Sequence, residues 1–296
     1  MLLTMKEILD KANEGNYAVA APNVMTELDA RAALEAAEEL NAPLILDVAP
    51  GHPVDIVFFG KYLAELAGQA KVPVAINLDH GGTISQVVSA IRAGFTSVMI
   101  DKSVFPYDEN VSEVKKVVEI AHSIGISVEA EIGHVGQGMS YDVDRNAGLT
   151  DPEEAKRFVE DTGVDCIAVA IGTAHGAYDG TPYIDFERLA EIKTAVKLPL
   201  VLHGGSGSGD ENLRKVCSMG INKVNVCNDL MKTACTRLKE ADTEGNGAYL
   251  GFTIMREGYK ARLMELIEIF GGKDKAWPVS SRGLGRSVFL AEVEQH

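Results

Sequence analysis

Residues 72–82 read "VPVAINLDHGG", an apolar run that ends in an aspartate beside a histidine and then two glycines. Burying Asp79 and His80 costs free energy unless both are paired. Either they cap a surface turn, or the strand exists to hold them in a site. In a regular strand neighbouring side chains point to opposite faces, so one of the two must swing in where the strand breaks at Gly81-Gly82.

The same kind of run recurs along the chain: "YAVAAP" (17–22), "PLILDVA" (43–49), "VAINLD" (74–79), "SVMID" (97–101), "SVEAEI" (127–132), "DCIAVAI" (165–171), "PLVLH" (199–203) and "NKVNV" (222–226). These are rich in Val, Ile and Ala without strict alternation, as strands buried on both faces read. Amphipathic stretches such as "TELDARAALEAAEEL" and "NVSEVKKVVEIAHSIG" lie between them. Gly94, Gly125, Gly163 and Gly220 are placed to end helices, and Asp151-Pro152 to start one. Eight β-then-α units predict an α/β fold, a (β/α)8 TIM barrel forming a single domain over 1–296. After Val226 one long helix and a tail fall outside the barrel count. A doubly wound open sheet is disfavoured, because no GxGxxG follows the first strand.

The bulk numbers agree. A chain of 296 residues with 46% apolar content is of ordinary length for one such barrel. Its net charge of −15 argues against nucleic-acid or anionic-membrane partners. Any anionic substrate must therefore be captured by local donors. Cys166, Cys217, Cys227 and Cys235 show no CxxC spacing, which suggests a reducing cytoplasm. The first 15 residues lack a signal peptide's apolar core, and no run approaches the roughly 20 apolar residues of a membrane helix.

At or just past the strand ends stand Asp79 and His80 (third), Asp101 (fourth), Glu131 (fifth), His175 (sixth), His203 (seventh) and Asn225 (eighth). A barrel gathers these ends at one mouth, so residues scattered in sequence converge. Three imidazoles suit Zn²⁺ and leave an open position for water or substrate. The loop "LHGGSGSGDENL" after the seventh strand opens a helix, and its backbone with Ser206 can cradle an anion. Such barrels often build a phosphate site from the loops after strands seven and eight.

At these positions the sequence resembles the class II, metal-dependent ketose-bisphosphate aldolases, the fructose- and tagatose-bisphosphate aldolase family. The motifs that carry the likeness run from "YAVAAPNV" through "NLDHGG", "VMIDKS", "VEAEIGHVG", "AVAIGTAHGAY" and "LVLHGGSG" to "KVNVCNDL". The resemblance implies His80, His175 and His203 as zinc ligands and Asp79 as the acid/base at the cleaved bond. It implies Asp101 and Glu131 as an alternative metal site. Gly176, Gly204, Gly205, Ser206, Asn225, Val226, Cys227 and Asn228 match the pocket for the dihydroxyacetone-phosphate half. The implied reaction is reversible cleavage of a ketose 1-phosphate or 1,6-bisphosphate to dihydroxyacetone phosphate and an aldehyde, in a homodimer or homotetramer.

The sequence departs from that pattern in places. Asn228 stands where relatives usually have threonine. Lys260, on the outer helix with Arg256 and Arg262, stands where an arginine, often a neighbouring subunit's, holds a second phosphate; a lysine is a point charge and not a bidentate fork. In the loop after strand five, Gly138 and Met139 replace the expected acid, so Asp142, with Asp144 as the alternative, is the candidate base for the C3 proton. The rival readings are three. A Schiff-base aldolase would need a lysine at the barrel mouth; Lys102 and Lys223 lie near strand ends, but the sixth strand, "AVAIG", offers none. A metal-dependent hydrolase would carry His-x-His on the first strand, which is absent. A non-catalytic barrel would hold only a structural metal.

Overall fold

A computed structural model describes residues 1–51, 55–136, 148–176 and 182–278. Eight parallel strands close into a barrel in chain order, β1 pairing with β2 and with β8. They are β1 (Val19–Pro22), β2 (Leu44–Val48), β3 (Val74–Gly81), β4 (Ser97–Ile100), β5 (Ser127–Ile132), β6 (Cys166–Val169), β7 (Leu200–Leu202) and β8 (Ile221–Val226). Helix α1 (Met5–Gly15) precedes the barrel. Helices α2 (Glu27–Glu39), α3 (Ile56–Gln69), α4 (Ile84–Ala93), α5 (Tyr107–His122), α6 (Pro152–Thr162), α7 (Phe186–Ala195), α8 (Asp210–Ser218) and α9 (Asn228–Glu240) follow the strands in turn. Each of the eight apolar runs falls on one strand, with β3 running two residues past its run and β8 starting one residue before.

Among the described residues two helices follow β8, where the sequence suggested one. Helix α9 completes the eighth unit, and α10 (Gly251–Ile269) lies outside it, joined by a 3-10 turn over Gly245–Leu250. Helix starts are written locally. Thr4, Thr26 and Thr83 cap α1, α2 and α4 in reciprocal boxes with Glu7, Asp29 and Gln86, and Asp151 caps α6 ahead of Pro152. Each such cap stabilises its helix by about 1 kcal/mol.

Strand parity divides the apolar residues into two bodies. Outward-facing residues such as Leu44, Leu46, Val74, Ile76, Val128 and Ala130 pack under the helices. Inward-facing Val19, Ile45, Ala75, Cys166 and Val201 meet Leu3, Met5, Ile8 and Leu9, so the N-terminal segment with α1 plugs the barrel floor. The plug is tied down by hydrogen bonds from the Met5 and Lys6 amides to Ser97 and Ser127 Oγ. Above the plug the inward positions turn polar, and the strand ends face the opposite pole. No helix among the described residues is long and apolar enough to cross a membrane.

Candidate active site

Asp79 and His80 reach the same space because β3 bulges instead of breaking. The strand continues through Gly81, but its register against β4 shifts between Leu78 and Gly81. His80 sits at φ 51°, a left-handed conformation that costs a non-glycine residue roughly 1–2 kcal/mol. Gly81 completes the turn where a Cβ would lie 2.5 Å from the Met99 carbonyl oxygen. The bulge thus resolves the parity conflict that the sequence posed.

The three histidines meet at the mouth. His80 Nδ1 lies 2.8 Å from Asp101 Oδ2, and an ionised carboxylate only accepts, so in the neutral ring the proton sits on Nδ1 and Nε2 is bare. His203 Nε2 lies 2.7 Å from Glu129 Oε1, which leaves its Nδ1 bare. These bare nitrogens are 2.7 Å apart, and His175 Nε2 is 3.1 Å from His80 Nε2. Facing lone pairs repel unless a proton or a metal ion stands between them. Tetrahedral zinc, at about 2.0–2.1 Å from each imidazole, needs nitrogens roughly 3.3 Å apart, so the donor set fits with a small outward relaxation. Thr173 Oγ1 bonds the His203 carbonyl at 2.7 Å, and the His175 amide bonds the Gly136 carbonyl at 2.8 Å. Two of the histidine-bearing segments are therefore fixed through their backbones.

His80, Asp101 and Glu131 form a second set whose donor atoms lie within 4.8 Å of one another. Glu131 Oε1 accepts the Val135 amide, while buried Oε2 has no hydrogen-bond partner among the described residues. That oxygen lies 4.0 Å from His203 Nδ1, an orphaned anion beside the imidazole cluster. The metal-free site answers this negative charge with protons. Burial pushes the His80 imidazolium down, but Asp79, Asp101 and Glu131 outweigh it and raise His80 to about 10. Burial and the neighbouring imidazoles lower His175 to about 4.

Asp79 is gripped by two amides. Asn23 Nδ2 donates to Oδ2 at 2.8 Å and Asn225 Nδ2 to Oδ1 at 3.0 Å. Burial pushes this carboxyl up; His80, His203, Lys223 and the Asn23 bond outweigh it and hold it at about 2. Asn23 is itself held from outside the barrel, since the buried Tyr259 hydroxyl on α10 donates to its carbonyl at 2.9 Å.

Beside Asp79 opens a cleft of about 370 Å³, lined by His175, Gly176, Gly204, Ser206, Asn225, Cys227 and Asn228 among others. Gly204 has φ +68°, and a Cβ there would lie 2.3 Å from the Ala174 carbonyl oxygen, so only glycine lets the β7 and β6 exits approach. The Gly205 amide bonds the Asn225 carbonyl at 3.2 Å. Ser206 Oγ accepts the Cys227 and Asp229 amides at 3.1 and 3.2 Å, capping α9 from the neighbouring loop. Its own hydroxyl proton is left to donate. Among the eight substrate-half positions, the cleft lining holds Gly176, Gly204, Ser206, Asn225, Cys227 and Asn228, while Gly205 and Val226 support it from behind.

Other expected residues lie elsewhere. Lys260 pairs with Glu35 and Glu39 of α2, Arg256 with Glu35 and Glu257, and Arg262 with Asp210, Asp229 and Glu265. All three cations are engaged within their own chain, and none lines the cleft. Asp142 and Asp144 lie outside the described residues. Lys102 donates to the Gly82 carbonyl at 2.8 Å, and Lys223 is sealed inside the barrel between Glu129 and Asp47. Their charge raises the Lys223 ammonium further against the effect of burial, so it is no Schiff-base nucleophile.

The sequence reading missed Asn23, Asp47, Asn77, Glu129 and Lys223 as members of this interior. The signal was present as parity: Asn77 precedes Asp79 by two, Glu129 precedes Glu131, and Lys223 precedes Asn225, so each pair shares one strand face.

Comparison with known proteins places the chain. The family model described as "Fructose-bisphosphate aldolase class-II" matches residues 3–275. A fructose-bisphosphate aldolase of Thermus caldophilus is 41% identical over 315 residues, covering 93% of this chain and all of that protein. The crystal structure of the YdjI aldolase from Escherichia coli K12 superposes with a TM-score of 0.85 at 33% identity, covering 94% of this chain and all of that one. A putative fructose-1,6-biphosphate aldolase from Coccidioides immitis gives 0.83 at 26% identity, covering 92% and 97%. With a closed barrel whose mouth carries three histidines and a clamped aspartate, and with these matches spanning nearly its whole length, the chain belongs to the class II fructose-bisphosphate aldolase family.

Proposed function

We propose that this aldolase is zinc-dependent and reversibly cleaves a ketose 1-phosphate, or a ketose 1,6-bisphosphate, to dihydroxyacetone phosphate and an aldehyde. The observation that carries the reading is the tautomer lock: Asp101 and Glu129 fix two imidazoles so that bare nitrogens converge beside Asp79. His80, His175 and His203 would hold the ion, with Asp101 and Glu131 as the alternative site. When bound, the ion supplies a Lewis acid for the C2 carbonyl and for the charge left after cleavage.

The chain's own residues do the rest. Gly176, Gly204, Gly205, Ser206 and Asn225 to Asn228 bind the C1 phosphate, the Ser206 hydroxyl donating and the N-terminus of α9 favouring the anion. Anchoring this non-reacting end orients C3–C4 against Asp79. The Asp79 carboxylate, ionised at any working pH, accepts the C4 hydroxyl proton as the C3–C4 bond opens, and its electron pair passes to the three-carbon enediolate. In condensation Asp79 returns that proton. We assign the C3 proton to Asp142, with Asp144 as the alternative. Loss of C3 proton exchange into deuterated water in Asp142→Asn would support this; normal exchange in both Asp142→Asn and Asp144→Asn would remove both.

Arg256, Lys260 and Arg262 of the outer helix are each paired within the chain, so none of these three is spare for a distal phosphate. This favours a substrate phosphorylated only at C1 and a different distal group. The same reading makes the enzyme cytoplasmic and homo-oligomeric, with exposed Tyr249, Leu250 and Phe252 before and at the head of α10 as an apolar patch for a second copy. Light scattering that finds a fully active monomer would remove the oligomer. Assay of ketose 1-phosphates and 1,6-bisphosphates for triose-phosphate release tests the substrate. Turnover of 1-phosphates above bisphosphates is expected, and turnover of bisphosphates alone would restore the distal phosphate.

A further inference from the structure

Beneath the imidazole cluster Glu129 joins His203 to Lys223, a buried ammonium that the reaction as described does not use. Lys223 on β8, Glu129 on β5 and His203 after β7 are each fully buried, with no exposed surface. Lys223 Nζ lies 2.7 Å from Glu129 Oε2, and Glu129 Oε1 lies 2.7 Å from His203 Nε2. Asp47 stands on the far side of the ammonium at 3.2 Å, and Asn77 Nδ2 donates to its other oxygen at 2.9 Å. Burying one ammonium and two carboxylates is costly, and apolar residues of the same volume often serve stability as well. A carboxylate's terminal torsion is also broad and nearly two-fold, so one hydrogen bond does not fix its plane.

We propose that Lys223 is a positioning residue: by binding Glu129 Oε2 it locks the carboxylate that keeps His203 in its Nε2–H tautomer, with Nδ1 bare toward the metal site. This rests on the metal reading above. Lys223 and His203 approach Glu129 from opposite oxygens, so the ammonium sets the carboxylate plane without touching the ligand. Without it, Glu129 turns, His203 is free to protonate Nδ1, and the ligand nitrogen is lost. Asp47 has no contact with His203; its part is to balance the charge of Lys223. Partners that orient metal-ligating histidines typically contribute 10–100-fold in metal affinity.

Lys223→Met alone leaves two carboxylates buried without their cation and risks unfolding. The double variant Lys223→Met/Asp47→Asn removes the ammonium together with the carboxyl on its far side, so Asp47 is not left as a buried anion without its cation. Zn²⁺ affinity of the metal-stripped full chains, measured by competition with a chromophoric chelator, should fall about 10–100-fold in the double variant. Asp47→Asn alone should stay within about threefold of wild type, well short of that range. Wild-type affinity in the double variant, or an equal loss in Asp47→Asn, would overturn the proposal and leave only charge balance. A second readout needs no variant: ¹⁵N-resolved histidine NMR of the metal-free wild-type chain should show His203 protonated on Nε2, and an Nδ1–H tautomer would overturn it. A wild-type chain with the Nε2–H tautomer that binds no Zn²⁺ would sink the metal reading while supporting the lock.

Discussion

Two polar layers share the barrel interior, two residues apart on β3 (Asn77, Asp79), β5 (Glu129, Glu131) and β8 (Lys223, Asn225). The lower holds Asp47, Asn77, Glu129 and Lys223; the upper holds Asp79, Glu131, His203 and Asn225, with His80 and His175 closing over it. In the lower layer both carboxylates face an ammonium supplied by the chain itself. In the upper layer carboxylates and imidazoles face one another, with no lysine or arginine of the described residues in the layer. The lower layer carries its own cation, whereas the upper one, in the reading proposed above, takes one from outside. That difference separates a structural charge cluster from a reactive one more sharply than the count of ionisable groups does.

Removing a ligand from the upper layer should have the largest effect. His175→Ala should cut kcat by about 10³-fold or more, since the ion contributes several kcal/mol of transition-state stabilisation, and should lower bound zinc measured by elemental analysis. Retained zinc and rate would remove His175 from the set. Asp79→Asn should lower kcat about 10²–10⁴-fold with zinc content unchanged, which places the loss in proton transfer. A loss of zinc instead would make Asp79 part of the metal site.

A subtler test uses the proton that the upper layer borrows. His80 titrates at about 10 in the metal-free chain, so below that pH it carries a proton that an ion must displace. His175, lowered to about 4, is already neutral at pH 7. Zinc binding at pH 7–8 should therefore release about one proton, and apparent affinity should rise about tenfold per pH unit toward pH 10. Calorimetry in buffers of different ionisation enthalpy reads this directly; affinity independent of pH across 7–9 would mean His80 is neutral beforehand. The smallest effect belongs to the phosphate cradle. Ser206→Ala removes a hydroxyl that caps α9 and faces the cleft, and should raise KM for phosphorylated ketoses about tenfold, the loss of one charge-assisted bond. Equal effects on unphosphorylated analogues would reduce Ser206 to a helix cap.

The fold was legible because buried parallel strands announce themselves as apolar runs, and each of the eight falls on a strand. The rim was legible because polar residues that end such runs stand out. The lower layer was harder to read, because Asn77, Glu129 and Lys223 sit inside the runs and look like interruptions until parity groups them. Two features depended on geometry that a residue string does not carry. One is the His80 bulge, which lets neighbouring residues share a face. The other is the engagement of Lys260, Arg256 and Arg262, whose carboxylate partners come largely from other helices. The bond from Tyr259 that ties α10 to the Asn23 backbone likewise has no signal in the sequence.

The central claim is that the upper layer works by taking up a metal ion. Stripping the protein with a chelator and titrating Zn²⁺ back, while following triose-phosphate release from a ketose 1-phosphate, tests it most directly. Activity should vanish on stripping and return linearly up to one Zn²⁺ per chain, and borohydride should trap no substrate on the protein. Full turnover in the stripped protein, with substrate trapped covalently on a lysine, would contradict it.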